Sequence, residues 1–400
     1  MGSSLLPHVR ASNALTGRWC ATFEGEDAVV SGAGLWPLLA VLAGAASGRA
    51  RDELAAAVGV AAEQAHAAGL DMLKSLDTSR EVSTAIGAWV RPGLTLRAEW
   101  VRSMPAGTVG ELGDPAALDA WAHEQTQGLI KKFPVPITSD TVLALATALM
   151  ARTRWVTPFA EVLYTPETGP WQGHRGPGLY RTSHPDGSVS VLDNDVTRVI
   201  VTGRGELDVH LLIGVDPRDG VAAGLAALDG AVDVRTELPV GTIAPCLSVS
   251  RRETYGGRDS VVLKLPPFEV ENKHNLARHA ALFGMSTAMN IHGSHFTGLA
   301  SDPLALNAAG QDVIARFDAE GFEAAAVTAV GMRLGGIPQK SWSTITSVSI
   351  DRPFGFLAVD RPTGLVLVAG QVTKPPVEWV RPVGEAPARG RNPGPPWRDR

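Results

Sequence analysis

Ten histidines, two cysteines and 41 acidic residues are the groups with which this 400-residue chain could do chemistry. His292 and His295 stand three apart; His274 and His279 stand five apart, with Glu271 just upstream. Two imidazoles at such spacing can share a metal ion, but a site needs three or four ligands. No Cys or further acid stands at ligand spacing, so these histidines read as structural and no metal is expected. His174, His184 and Asp186 could pair for proton transfer, yet they belong to GHRGPGLYRTSHPDGS, a polar Gly/Pro-rich stretch that reads as a surface loop. Cys20 and Cys246 are too few for a disulfide framework or a cysteine-only zinc site and read as two lone buried thiols. A Gly-rich phosphate loop, a Gly-x-Ser-x-Gly elbow and a paired-cysteine motif are all missing. Nothing here indicates an ordinary enzyme, and no cofactor is expected.

The elements behind these residues give a coarse outline. Lys plus Arg is 36 against 41 acids, a net charge of −5, so there is no basic excess to neutralise phosphates and nucleic acid is not expected as a partner. The N-terminus lacks an apolar segment after a basic start, which makes the cytoplasm the expected compartment. Val29 to Gly48 carries no charge, but its glycines, Pro37 and alanines suit a buried core helix better than a membrane span. Between Arg10 and Ile130 the pattern reads as mostly helical, with helices at Arg51–Val58 and Ala117–Ile130. After residue 190 short alternating runs follow, among them Val196–Val201, Val261–Leu265 and Leu365–Val372, and a return to helix is expected at His274–Phe283. Helices first and strands later indicate an α+β fold rather than a doubly wound sheet. One domain over residues 1–376 is expected, followed by a Pro/Gly/Arg-rich disordered tail at 377–400.

Six segments, in order and at fitting separations, resemble the serpin family. SGAGLWPLLAVLAGAASGRARDEL (31–54) looks like its buried second helix and the stretch after it. LALATALMARTRWVTPF (143–159) is similar to the central strand ending in Trp-x-x-Pro-Phe, through Trp155, Pro158 and Phe159. VLKLPPF (262–268) and FTGL (296–299) match a strand end and a turn. AEGFEAAAVTAV (319–330) resembles the hinge of the reactive loop, and RPFGFLAVDRPTGLVLVAGQVTKP (352–375) the C-terminal hairpin.

The resemblance implies three β-sheets, eight or nine helices and an exposed reactive-centre loop, placed at about residues 321–345. Cleavage of that loop by a serine protease, the implied partner, would let it enter the largest sheet as a new strand; a monomer with no membrane contact is expected. The hinge residues are Glu320, Gly321, Phe322, Glu323, Ala324, Ala325, Ala326 and Thr328. Small residues without proline suit a segment that must become a central strand. Alternation puts Glu323 outward and Phe322 inward, where the family carries a small residue, so an overpacked ring that slows insertion is expected. The set implied to hold and reopen the sheet is Ser31, Gly34, Thr147, Trp155 and Gln311, in which Gly34, Thr147 and Gln311 depart from the family's usual Ser, Asn and His. Counting forward from Gly321 puts the scissile bond at Gly335–Gly336, and counting back from Pro353 puts it at Trp342–Ser343. Arg333 or Lys340 would suit a trypsin-like protease, Trp342 a chymotrypsin-like one. Two functions stay open: a suicide-substrate inhibitor, or the same fold repurposed for small-molecule binding, chaperoning or a biosynthetic activity.

Overall fold

A computed structural model describes residues 5–76, 81–128, 130–135, 137–138, 141–255, 257–322 and 340–375. Its α-helices are α1 (Pro7–Cys20), α2 (Gly32–Ala45), α3 (Gly48–Val58), α4 (Ala62–Leu76), α5 (Ala98–Ser103), α6 (Pro115–Gln125) and α7 (Pro217–Leu228). None of the described helices is long and apolar enough to cross a membrane.

The strands form four hydrogen-bonded sheets. A seven-stranded sheet runs in the order β1 (Ala28–Val30), β20 (Leu365–Val372), β19 (Phe354–Asp360), β10 (Leu207–Ile213), β9 (Val196–Thr202), β8 (Val189–Leu192), β11 (Val234–Arg235). A six-stranded sheet runs β12 (Ile243–Ala244), β13 (Leu247–Tyr255), β18 (Lys340–Ser349), β14 (Ser260–Leu265), β7 (Gly176–Ser183), β6 (Ala160–Tyr164). A three-stranded sheet is β3 (Val109–Glu111), β2 (Val82–Val90), β4 (Leu143–Ala151), and a four-stranded one is β15 (Phe268–Asn275), β16 (Gly310–Phe317), β17 (Gly321–Phe322), β5 (Thr153–Arg154). The α+β class stands, but the described residues show seven helices and four sheets where eight or nine and three were expected.

The difference in sheet number has a physical origin. The chain passes from β4 into β5 with one residue between them, yet the two belong to different sheets. The two smaller sheets thus meet at one end and part along the rest of their length.

The core is built around α2. Every residue of this helix except Leu38 and Gly44 is buried, because it packs against the seven-stranded sheet through β20, against β4, and against α3 and α4. It approaches α4 closely where the sequence is small: a methyl group on Gly69 would stand 3.0 Å from the Pro37 carbonyl and 3.1 Å from Ala40. The central strands β19 and β20 are buried at every position, which explains their unbroken apolar runs.

Three local expectations fail. Val82–Val90 is a strand inside the stretch read as helical, Gly176–Ser183 is a strand inside the stretch read as a surface loop, and His274 lies in strand β15, which runs to Asn275, instead of opening a helix. Asn275 accepts a hydrogen bond from the Ala277 amide, and one 3-10 turn follows, Leu276–His279. Cys20 is buried and Cys246 half-buried, and neither is in a disulfide.

Candidate functional site

Among the described residues no strand lies between β4 and β16, and a slot separates them. Its upper part has Thr147–Ala151 on one wall and Gln311–Ile314 on the other, with Ser31, Gly34 and Val368 also lining it. Its lower part continues between Leu143–Leu145 and Ala308–Gly310 over the leucines of α2. The slot therefore follows both strands along most of their length, nine residues of β4 and eight of β16.

The upper end is closed by Gly321–Phe322, where the hinge is expected to start. Phe317 and Phe322 pair across a tight reversal, after which Gly321 pairs with Arg154 and Phe322 with Thr153. Asp318 makes the reversal: its carboxylate accepts from the amides of Glu320 (2.8 Å) and Gly321 (3.0 Å), and its own amide donates to the Gly321 carbonyl (3.0 Å). Trp155 fixes the turn from the other side, donating from its indole to the Asp318 carbonyl (2.9 Å) and from its backbone to the Glu320 carbonyl (2.9 Å). Phe322 is 2% exposed, with its ring at the head of the slot. Ala122, Ala148 and Ala151 line the same space together with Trp121 and Met150, and the ring that the sequence suggested would overpack is already seated there in the intact chain.

Ser31, Gly34, Thr147 and Gln311 come together at mid-slot. Ser31 caps α2, accepting from the Gly34 amide (3.0 Å) while its hydroxyl donates to the Leu367 carbonyl (2.7 Å). The Thr147 hydroxyl donates to the Gly34 carbonyl. Gln311 clamps the Ser31 backbone, its Oε1 accepting from the amide (3.1 Å) and its Nε2 donating to the carbonyl (2.9 Å). The two walls are thus held through the start of α2. A Cβ on residue 34 would stand 3.0 Å from Ser31 Oγ and 3.4 Å from Gln311 Nε2, so its tight contact would be with the capping hydroxyl, and the Gln311 amide would be in ordinary contact. On the same wall, burial raises the carboxyl pKa of Asp312, Lys273 opposes the shift and Glu271 adds to it.

One contributor carried no sequence signal. Glu81, just before β2, accepts from the amides of Gly205 (3.2 Å), Glu206 (2.7 Å) and Leu207 (2.8 Å) and from the Thr153 hydroxyl. It ties the strand edge that receives Phe322 to the turn between β9 and β10. A lone acid before an unrecognised strand gives no pattern to find.

A protein-family model described as serpin, serine protease inhibitor, matches residues 13–168 and 244–375. The chain belongs to the serpin family. It is 26% identical over 322 residues to an uncharacterized serpin-like protein of Thermococcus kodakarensis, covering 76% of this chain and 69% of that one. It is 26% identical over 416 residues to Serpin-Z2A of Oryza sativa subsp. japonica, covering 88% and 92%. Among solved structures, the thermophilic serpin Tengpin in its native state has a TM-score of 0.68 at 16% identity, covering 92% of this chain and 93% of that one. Thyroxine-binding globulin in complex with thyroxine has a TM-score of 0.67 at 15% identity, covering 92% and 99%. These likenesses establish the fold.

The expected reactive loop lies only partly within the described residues. Glu323, Ala324, Ala325, Ala326, Thr328, Arg333, Gly335 and Gly336 lie outside the described residues, as does the tail from 377. Residues 340–345, expected in the loop, are instead in strand β18, where Trp342 pairs with Glu253 and Ser343 with Arg252. The Trp342–Ser343 bond is extended but held in the ladder to β13, so it is not free to enter a protease cleft and is set aside as scissile bond.

Proposed function

We propose that this serpin inhibits a serine protease as a suicide substrate, with the scissile bond among residues 333–336. The protease serine oxygen would attack the loop carbonyl and pass its proton to the protease's own base. The peptide C–N bond would break, its amine would leave with that proton, and the loop would remain esterified to the serine. Insertion of the freed loop between β4 and β16 would carry the acyl-enzyme away before water reached the ester. The observation that carries this reading is the slot, already headed by Gly321–Phe322 in ladder pairing with β5. A strand completing that ladder gains two edges at once, the internal equivalent of β-augmentation.

The test is incubation with trypsin-like proteases, followed by a denaturing gel. A covalent species near the summed mass is expected, and quantitative cutting without it by every protease tried would refute the proposal. A second reading, carriage of an apolar small molecule, is favoured by the lower end of the slot. Leu35, Leu39, Leu42, Met285 and Phe296 line it. Under that reading the melting temperature should respond to apolar ligands and no covalent complex should form.

A further inference from the structure

The strand that follows the bait segment is more than an anchor. Lys340–Thr344 pair with Arg251–Tyr255 of β13, whereas pairing with β14 starts only at Ser260 against Ile345. The result is a two-stranded ribbon running past the body of the six-stranded sheet. Its pleat puts Arg251, Glu253, Tyr255, Lys340 and Trp342 on one face. On that face Trp342 is 58% and Tyr255 67% exposed. Arg251 lies over the Trp342 ring at 5.9 Å and Lys340 over the Tyr255 ring at 5.5 Å. On the opposite face Ser343 is buried and hydrogen-bonded to Thr254 at 2.6 Å, which holds the ribbon in place. Arg251 and Lys340 on this face, with Arg258 in the turn beside it, stand against two acids, Glu253 and Asp259, on a chain whose net charge is −5, while Arg252 lies on the opposite face. One of those acids, Asp259, is already engaged by the Thr344 amide (2.6 Å).

We propose that this ribbon is a docking surface for the target protease, and that it selects proteases with an acidic, partly apolar flank beside the cleft. The inference rests on the inhibitor reading. Chain length names the occupant. From Leu334 or Gly336 to Lys340 is six or four residues, a reach of at most about 20 Å or 14 Å. A protease of ordinary size, about 230 residues, has a radius of gyration of roughly 17 Å. A body that wide, seated on a bond so close, must bring its flank against the ribbon. What it meets there is tryptophan, tyrosine and arginine, the types that anchor interfaces. Gly335–Gly336 fills no specificity pocket, and Arg333 would fill the pocket of every trypsin-like protease alike, so discrimination among such proteases has to come from outside the bond, and fixed charge supplies it mainly through the association rate.

Anionic and cationic trypsin, which share cleavage after Arg and Lys but differ in surface charge, are suitable probes. The reading is the rate of the first cut between residues 333 and 340, located by mass spectrometry. At low ionic strength the anionic enzyme should cut the whole chain at least tenfold faster than the cationic one, and 0.5 M salt should remove most of the difference. Arg251→Ala with Lys340→Ala should abolish the preference, and Trp342→Ala should slow the anionic enzyme several-fold. A free peptide copying residues 328–338 should show no such preference. Unchanged melting temperatures would verify that the variants fold. Equal rates for both enzymes, a preference that survives the double variant, or no cut in this segment would each overturn the proposal. The covalent complex is read separately on the same samples, so charge-selective cutting without complex would refute inhibition while leaving the docking surface in place.

Discussion

Replacing Phe322 with Thr, the kind of residue the family carries there, separates an obstructing ring from an anchoring one. From sequence, the ring should be an overpacked newcomer that delays insertion, and its removal should raise the yield of covalent complex. The structure puts the ring at 2% exposure before any cut, paired with Phe317 and Thr153. Its loss should therefore open a cavity in intact and cut forms alike, costing about 3–5 kcal/mol in each. For the roughly 345 described residues the unfolding entropy is about 0.7 kcal/mol/K, so both melting temperatures should fall by about 4–7 °C. The ratio of complex to free cleaved chain should change less than twofold. Calorimetry on both forms and a denaturing gel decide the matter. A several-fold rise in complex with an unchanged intact melting temperature would refute the anchoring role.

Two further outcomes follow from the same geometry. Gln311→Ala leaves the Ser31 amide and carbonyl without their clamp; urea unfolding should show a loss of about 2–4 kcal/mol, and a loss under 0.5 kcal/mol would mean the clamp does not hold β16 to α2. Burial, and after it the nearby Arg198, lowers His210 to about 4 against a partial opposing pull from Asp208. Because the folded value lies below the unfolded one, the stability this neutral imidazole contributes is complete above pH about 6.5 and drains away as pH falls towards 4. His210→Asn should therefore flatten the urea-midpoint profile between pH 6.5 and 4.5 by about 2–3 kcal/mol, and an unaltered slope would contradict the assignment.

Legibility in the sequence followed the strength of local pattern. The uncharged run at 29–48 identified a core helix because a helix buried all round has no need of polar residues. The hairpin at 352–375 was equally plain, since β19 and β20 are buried on both faces. Strand Val82–Val90 was missed because Ser83, Thr84, Ala85 and Gly87 blur the alternation; Gly87 is there because a Cβ would stand 2.4 Å from the Trp89 ring. The gathering of Ser31, Gly34, Thr147 and Gln311 came from the family resemblance alone, for residues up to 280 positions apart leave no periodic trace. The disagreement between the forward and backward counts of the scissile bond shows in the sequence, and the placement of residues 340–344 in the β13–β18 ribbon does not, because pairing with Arg251–Tyr255 is a long-range choice. Glu81 was invisible for the same reason.

The central claim is that the slot between β4 and β16 receives the cut loop. The most direct measurement is the melting temperature of the chain before and after a single cut within residues 333–336, without protease attached. A strand matching the eight residues of β16 and bonded on both edges should add on the order of 10 kcal/mol, which raises the melting temperature by at least about 10 °C. A cleanly cut chain that melts within about 2 °C of the intact one would contradict insertion, and with it the inhibitory mechanism.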